Sequence, residues 1–134
     1  MTVFVTGGTG FVGSYLVESL VKEGEEVKAL VRETSDVSKL VDLGVTMVEG
    51  DVTEPSSLRG KMRDCSTLYH LANIYDWWLP DTSLFYKVNV EGTRNVMEEA
   101  RKSNLEKIVY TSTIAAVGQE EGEIATEETD HCGF

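Results

Sequence analysis

The sequence predicts an α/β fold built on a doubly wound parallel sheet, and three observations carry that reading. Thr2-Val3-Phe4-Val5-Thr6 is an uncharged run of β-branched and aromatic residues, the pattern of a strand buried on both faces. It passes directly into Gly7-Gly8-Thr9-Gly10-Phe11-Val12-Gly13-Ser14, after which Val12, Leu16 and Leu20 recur one turn apart on a helical face. Strand-like and helix-like stretches then alternate over the 134 residues, which calls for crossover connections and so for parallel strands.

The first helix is expected to end at Lys22-Glu23-Gly24, with Gly24 as the left-handed cap. Val27-Lys28-Ala29-Leu30-Val31 reads as the second strand. Ser35 or Asp36 would cap a short helix through Leu40 and Val41, stopped by Gly44. Val45-Thr46-Met47-Val48-Glu49 is a third strand and Gly50 to Pro55 a loop, with another short helix from Ser56 to Met62. Leu68 to Ala72 is the fourth strand. An aromatic loop, Tyr75-Asp76-Trp77-Trp78, leads to the longest helix, Ser83 to Ser103, and Ile108-Val109-Tyr110-Thr111 is the fifth strand before a polar, acidic tail. The glycine turn after the first strand and right-handed crossovers give a Rossmann-like strand order, 3-2-1-4-5.

Composition narrows the partners. Residues 1–134 are expected to form one domain, large enough for a core. The net charge is −11, and the last seventeen residues hold Glu120, Glu121, Glu123, Glu127, Glu128 and Asp130 with no Lys or Arg. That balance argues against nucleic acid, whose affinity rests on cations at phosphates. Cys65 and Cys132 are far apart and the chain has only two His, so no metal site is expected; the thiols read as reduced, in a cytoplasmic protein. Nothing resembles a signal peptide or approaches transmembrane length, so no membrane partner is expected.

In such a sheet, ligands sit beyond the carboxyl ends of the strands, at the switch between strands one and four. A helix start after a glycine turn offers unpaired N–H groups to an anion, although the dipole alone contributes only about 0.3–1 kcal/mol. The glycines fit two registers: Gly8-Thr9-Gly10-Phe11-Val12-Gly13, the general dinucleotide fingerprint, and the wider Thr6-Gly7-x-x-Gly10-x-x-Gly13. The second is preferred because Thr6-Gly7 closes the strand. After strand two, Arg32 suits the 2′-phosphate of NADP through a planar, charge-assisted fork. The competing readings are a solvated arginine balanced by Glu33 or Asp36, or Glu33 on the ribose of NAD. Asp51 after strand three can accept from an adenine amino group with Val52 against the ring, or can simply form an Asx turn. Ala72 is small enough to let a cofactor cross the sheet edge. His70, inside its strand, reads as a satisfied core residue. Ser112 and Thr113 follow strand five, where a nicotinamide would lie, or serve the strand-end backbone. Trp77 and Trp78 either line a cleft for an apolar or ring-bearing compound or pack on the sheet or a partner lobe.

Several of these stretches together resemble one family. Thr6 to Gly13, Gly50-Asp51-Val52, Tyr69-His70-Leu71-Ala72, Asn89-Val90-Glu91-Gly92-Thr93 and Tyr110-Thr111-Ser112-Thr113 through Gly118 occur in the order of the extended short-chain dehydrogenases/reductases. That is the NAD(P)-dependent epimerase/dehydratase group. Val31-Arg32 and Tyr110-Thr111-Ser112 are most similar to the dihydroflavonol-reductase and 3β-hydroxysteroid-dehydrogenase branch, while Trp78 to Val96 also resembles hopanoid-associated sugar epimerases and farnesol-dehydrogenase-like proteins. The resemblance implies that Gly7, Gly10 and Gly13 line the pyrophosphate, Arg32 the adenosine end, Asp51 and Val52 the adenine, and Ala72 the middle of the cofactor. Phe11, Val12, Leu71 and Thr111 are implied as further contacts, and Asn89 faces the site from the long helix. Thr113 falls at the family's catalytic Ser/Thr position, with Ser112 as the alternate.

The family's acid/base is a tyrosine followed four residues later by a lysine that lowers its pKa and holds the ribose. Tyr15, Tyr69, Tyr75, Tyr86 and Tyr110 are followed at that distance by Ser19, Asn73, Leu79, Val90 and Ile114, so no pair exists in the chain. The resemblance therefore implies the N-terminal portion of a longer enzyme, short of the sixth strand and substrate lobe, inactive alone. Three functions follow: an NADP-dependent reductase or dehydrogenase of a carbonyl or secondary alcohol, with a small-molecule substrate; an NAD-dependent nucleotide-sugar epimerase or dehydratase; and a non-catalytic dinucleotide-binding module. A homodimer of the full-length enzyme is compatible with each.

Overall fold

Five parallel strands form one sheet in the order β3-β2-β1-β4-β5 in the computed structural model, which describes residues 1–76, 78, 80–118, 122 and 124–129. The strands are β1 (Thr2–Thr6), β2 (Glu26–Val31), β3 (Thr46–Glu49), β4 (Thr67–His70) and β5 (Lys107–Tyr110). β1 lies at the centre, with Val5 opposite Ala29 of β2 and Tyr69 of β4. Its uncharged sequence follows from that position, since four of its five residues are buried. The outer strands β3 and β5 carry Thr46, Glu49 and Lys107 and are largely exposed.

Alternation along the central strands sends side chains into two separate cores. Val3, Val5, Val27, Ala29 and Val31 pack with Val17 and Leu20 of α1 (Phe11–Lys22) and Leu40 of α2 (Ser38–Asp42) on one face. Phe4, Leu30 and Leu68 pack on the other with Leu58 of α3 (Pro55–Leu58) and with Val96 and Ala100 of α5 (Thr93–Lys102). Helices on both faces of a parallel sheet make the doubly wound architecture that the sequence predicts.

Several boundaries differ from the sequence reading. The buried line of α1 is Gly13, Val17 and Leu20; Leu16 is half-buried and Val12 is 60% exposed, so the expected Val12–Leu16–Leu20 face is rotated. The helix sits so tightly on the glycine turn that its contact residue there must be Gly13. α2 begins at Ser38, with Asp36 Oδ1 accepting from the Ser38 N–H, while Ser35 Oγ accepts from the Arg32 N–H. α3 is one turn, cut off before Gly60, whose backbone is left-handed (φ +71°). The buried Glu99 carboxylate on α5 accepts from the Gly60 N–H at 2.6 Å and fixes that turn. β4 ends at His70, so Leu71 and Ala72 lie in the loop beyond it, and β5 likewise ends one residue before Thr111.

The long helix is not uniform. It opens as α4 (Ser83–Phe85), widens into a seven-residue π-helix, Tyr86–Gly92, and tightens into α5. Of the aromatic loop, Tyr75 and Trp78 are exposed, Trp78 by 90%, so Trp78 does not pack on the sheet; Trp77 lies outside the described residues. Glu120, Glu121, Glu123, Asp130 and Cys132 also lie outside them. Among the described residues no helix is long and apolar enough to cross a membrane, and no cluster of metal-ligating side chains occurs.

Candidate functional site

The turn between β1 and α1 is shaped by glycines for steric reasons that a side chain would violate. Gly7 is left-handed (φ +76°), and a Cβ there would lie 2.7 Å from the Ala72 nitrogen, because the loop after β4 runs against it. A Cβ on Gly13 would lie 2.0 Å from the Gly7 carbonyl oxygen. The Gly10 N–H donates to that same carbonyl at 3.0 Å and closes the turn. Gly8 faces Val5, Val17 and Ala29 in the core, so the wider register, Gly7, Gly10 and Gly13, is the one whose glycines all line the cavity beyond the strand ends. α1 has Gly10 as its N-cap, no side-chain cap and no acidic residue in its first turn. Its first amides thus face outward without a side-chain partner, as an anion site requires.

These amides open into a cleft of about 870 Å³ that crosses the carboxyl end of the sheet. Beyond β1 it is walled by Gly7 and Thr9 to Gly13; beyond β2 by Arg32 and Ser35; beyond β3 by Gly50 to Thr53. On the other side stand Leu71 to Tyr75 after β4, Lys87 and Val88 from the π-helix, and Thr111 after β5. Five strand ends therefore converge on one cavity at the switch point between β1 and β4.

The charged lining is sparse. Arg32 is exposed, and no ion pair joins it to Glu33 or Asp36 among the described residues; Asp36 is occupied by the Ser38 hydroxyl and N–H, which hold its carboxyl below the usual range. Asp51 Oδ1 accepts from both the N–H and the hydroxyl of Thr53 at 2.8 Å, so the Asx turn is formed while the residue still borders the cleft. Ser57 Oγ accepts from the Asp51 N–H and secures the loop from behind.

His70 is the buried hub of this edge. Its Nδ1 lies 2.6 Å from Thr6 Oγ1 and its Nε2 lies 3.0 Å from Thr93 Oγ1, with the Tyr110 ring stacked at 5.4 Å. Thr6 Oγ1 also accepts from the Ala72 N–H. Each ring nitrogen thus has a hydroxyl partner, one donating and one accepting in either neutral tautomer. Burial pushes the imidazole pKa down to about 4, which keeps the ring neutral. His70 is satisfied within the core, in keeping with its position in a strand.

Of the residues expected at a cofactor, Gly7, Gly10, Phe11, Val12, Gly13, Arg32, Asp51, Val52, Leu71, Ala72 and Thr111 all border the cleft. Asn89 does not. Its Oδ1 accepts from the Ile74 N–H at 2.7 Å and its Nδ2 donates to the Ile74 carbonyl at 3.0 Å, so both ends of the amide are spent on the backbone. Ser112 and Thr113 also stand outside the lining. Thr113 Oγ1 accepts from the Ala115 N–H and caps a 3₁₀ turn, Ile114–Ala116. The sequence reading missed Ser35 and Lys87. Ser35 carried a signal, a hydroxyl three residues after Arg32 that was weighed only as a helix cap. Lys87 carried none, because the π-helix that presents it has no local signature.

A parallel sheet in this order, with an uncapped glycine-turn helix and a cleft at its switch point, defines the Rossmann class of α/β protein. The NAD dependent epimerase/dehydratase family model matches residues 3–133, and the chain belongs to that family. A Synechocystis protein provisionally named a dihydroflavonol 4-reductase is 44% identical over 115 residues, 86% of this chain and 33% of that protein. The sterol demethylase protein B of Methylococcus capsulatus is 40% identical over 118 residues, 88% of this chain and 36% of its own. The crystal structure of Thermus thermophilus UDP-glucose 4-epimerase in complex with NAD superposes with a TM-score of 0.82 at 30% identity, covering 98% of this chain and 44% of that one. The chain spans about a third of the length of the curated relatives it matches.

Proposed function

We propose that the chain is the cofactor-binding part of an NADP-dependent reductase or dehydrogenase acting on a carbonyl or secondary alcohol. The shape of the turn supports a pyrophosphate: Gly7 and Gly13 leave space that a Cβ would fill, and the first amides of α1 meet no side chain. The observation that carries NADP over NAD is Arg32. It borders the cleft with no ion pair among the described residues, and its backbone is held by Ser35, whose own hydroxyl lines the same wall. An unpaired guanidinium beside a hydroxyl suits a phosphate ester.

The nicotinamide ring, when bound, supplies the hydride acceptor or donor. The residues of this chain bind and orient: the α1 amides take the diphosphate, Arg32 and Ser35 the 2′-phosphate, and Asp51 the adenine through its remaining oxygen. Thr113, at the position the family uses for its catalytic hydroxyl, would bond the substrate oxygen once drawn from its turn. With no Tyr-x-x-x-Lys pair in the sequence, the chain alone binds cofactor without turnover. The substrate is a small molecule, met in the cytoplasm.

The test is a titration with NADPH and NADH. Tighter NADPH binding, lost selectively in Arg32→Ala, supports the reading; tighter NADH binding removes it. A second reading, a nucleotide-sugar epimerase using retained NAD, is favoured by the likeness to the NAD-bound Thermus epimerase and would be supported by that opposite result.

A further inference from the structure

Three charged side chains line the cleft, Arg32, Asp51 and Lys87, and Lys87 is the one with no role in the cofactor reading. It is exposed, and its ammonium makes no hydrogen bond or ion pair among the described residues. In a chain of net charge −11, two cations against one carboxylate set the cleft apart as a place for an anionic or electron-rich ligand.

The register of the helix fixes which wall Lys87 serves. Val88 packs on the core that holds Val52, and Gly92 lies so close to Val52 that a Cβ there would stand 2.8 Å away. Successive residues swing by roughly a quarter-turn around such a helix. One residue forward of that face, Asn89 reaches Ile74 and Thr93 reaches His70, both on the β4 side. One residue back from Val88, Lys87 therefore stands on the opposite side, over the loop after β3. Asn95 returns to that same side in the next turn, where its Nδ2 donates to the Val52 carbonyl at 2.9 Å.

This corner of the cleft suits a flat ring. Leu30 and Val52 line it from the sheet, Leu84 and Val88 from the helix, and the Asp51 carboxylate borders it. An aromatic base buries its faces against such apolar side chains, and its π face attracts a cation. A lysine supplies both, an apolar stem and a charged tip. We propose that Lys87 is a cofactor-binding residue that closes over the adenine, its stem along the ring and its ammonium against the π face. That role rests on the dinucleotide reading of the cleft but not on the choice between NADP and NAD, which share the base.

The experiment measures dissociation constants for NADPH and for NMNH, which carries the nicotinamide half alone, in the wild type, Lys87→Met and Lys87→Arg (NADH replaces NADPH if the wild type favours it). Lys87→Met keeps much of the stem and loses the charge. It should weaken NADPH about fivefold and leave NMNH within about twofold. Lys87→Arg, a cation that also stacks on rings, should hold NADPH within about twofold of the wild type. In the complex, intermolecular NOEs should join the Lys87 side-chain methylenes to the H2 or H8 proton of adenine. Unchanged NADPH affinity in Lys87→Met, an equal loss of NMNH, or NOEs absent from the base would each overturn the assignment, the last by leaving the charge to a phosphate. A wild type that binds neither ligand would instead bring down the cofactor reading itself. Lys87 is exposed and its ammonium has no bond to lose, so these variants test binding and not folding.

Discussion

The two walls of the cleft are built by opposite means. On the β1–β2–β3 side, much of the backbone geometry is dictated locally: Gly13 is forced by the Gly7 carbonyl, and the Asx turn at Asp51 closes within two residues. On the β4–β5 side, the loop from Leu71 to Tyr75 is held by partners far along the chain, Asn89 for Ile74 and Thr6 for Ala72. Tyr75 and Trp78 stand exposed there. The first wall is set largely by contacts within a few residues; the second depends on contacts that span the chain.

The largest effect should come from attacking the glycine turn of the first wall. In Gly13→Ala the new methyl meets the Gly7 carbonyl at 2.0 Å, backbone against backbone, with no flexible group to yield. A stability loss of about 3 kcal/mol and abolished nucleotide binding are expected, read by denaturant melts and titration. Unchanged binding would mean that the turn can reshape.

His70 joins the two walls, and its titration tests that joint. Its folded pKa of about 4 lies below the unfolded value near 6.5, so the unfolded chain takes up the proton first as pH falls. The neutral ring's stability is intact above about pH 6.5 and is lost progressively down to about pH 4, by roughly 3 kcal/mol at full loss. Denaturant melts across that window should show the slope, and His70→Asn should flatten it. Glu18, Asp36 and Asp81 also have lowered pKa values, but these exposed groups act only below the ordinary carboxylate range.

A smaller and more selective effect is expected at Arg32. Arg32→Ala should cost NADPH about tenfold in affinity and leave NADH within about twofold, since only the 2′-phosphate is lost as a partner. The smallest belongs to the exposed loop beyond the second wall: Trp78→Ala, at a side chain 90% exposed, should change stability by no more than about 0.5 kcal/mol. A larger loss would show that Trp78 is packed in solution.

The same contrast explains what was legible in the sequence. β1, the glycine turn and the strand order follow from local pattern, because hydrophobic runs and glycine sterics act over a few residues. Arg32 and Asp51 could be named because each directly follows a strand. The helix that carries Asn89 is legible, but its bond to Ile74, a residue that lines the cleft, is not, since the contact spans fifteen residues and a π-helical widening. Thr113 stands out through the resemblance to the family's catalytic Ser/Thr position, yet its hydroxyl caps the next turn, a local competition that propensity alone does not resolve.

The central claim is a diphosphate held by the first amides of α1, and backbone amide NMR during an NADPH titration tests it most directly. Saturable shifts concentrated at Phe11, Val12 and Gly13, absent in Gly13→Ala, are the predicted result. Saturable binding that leaves those three amides unmoved would contradict it.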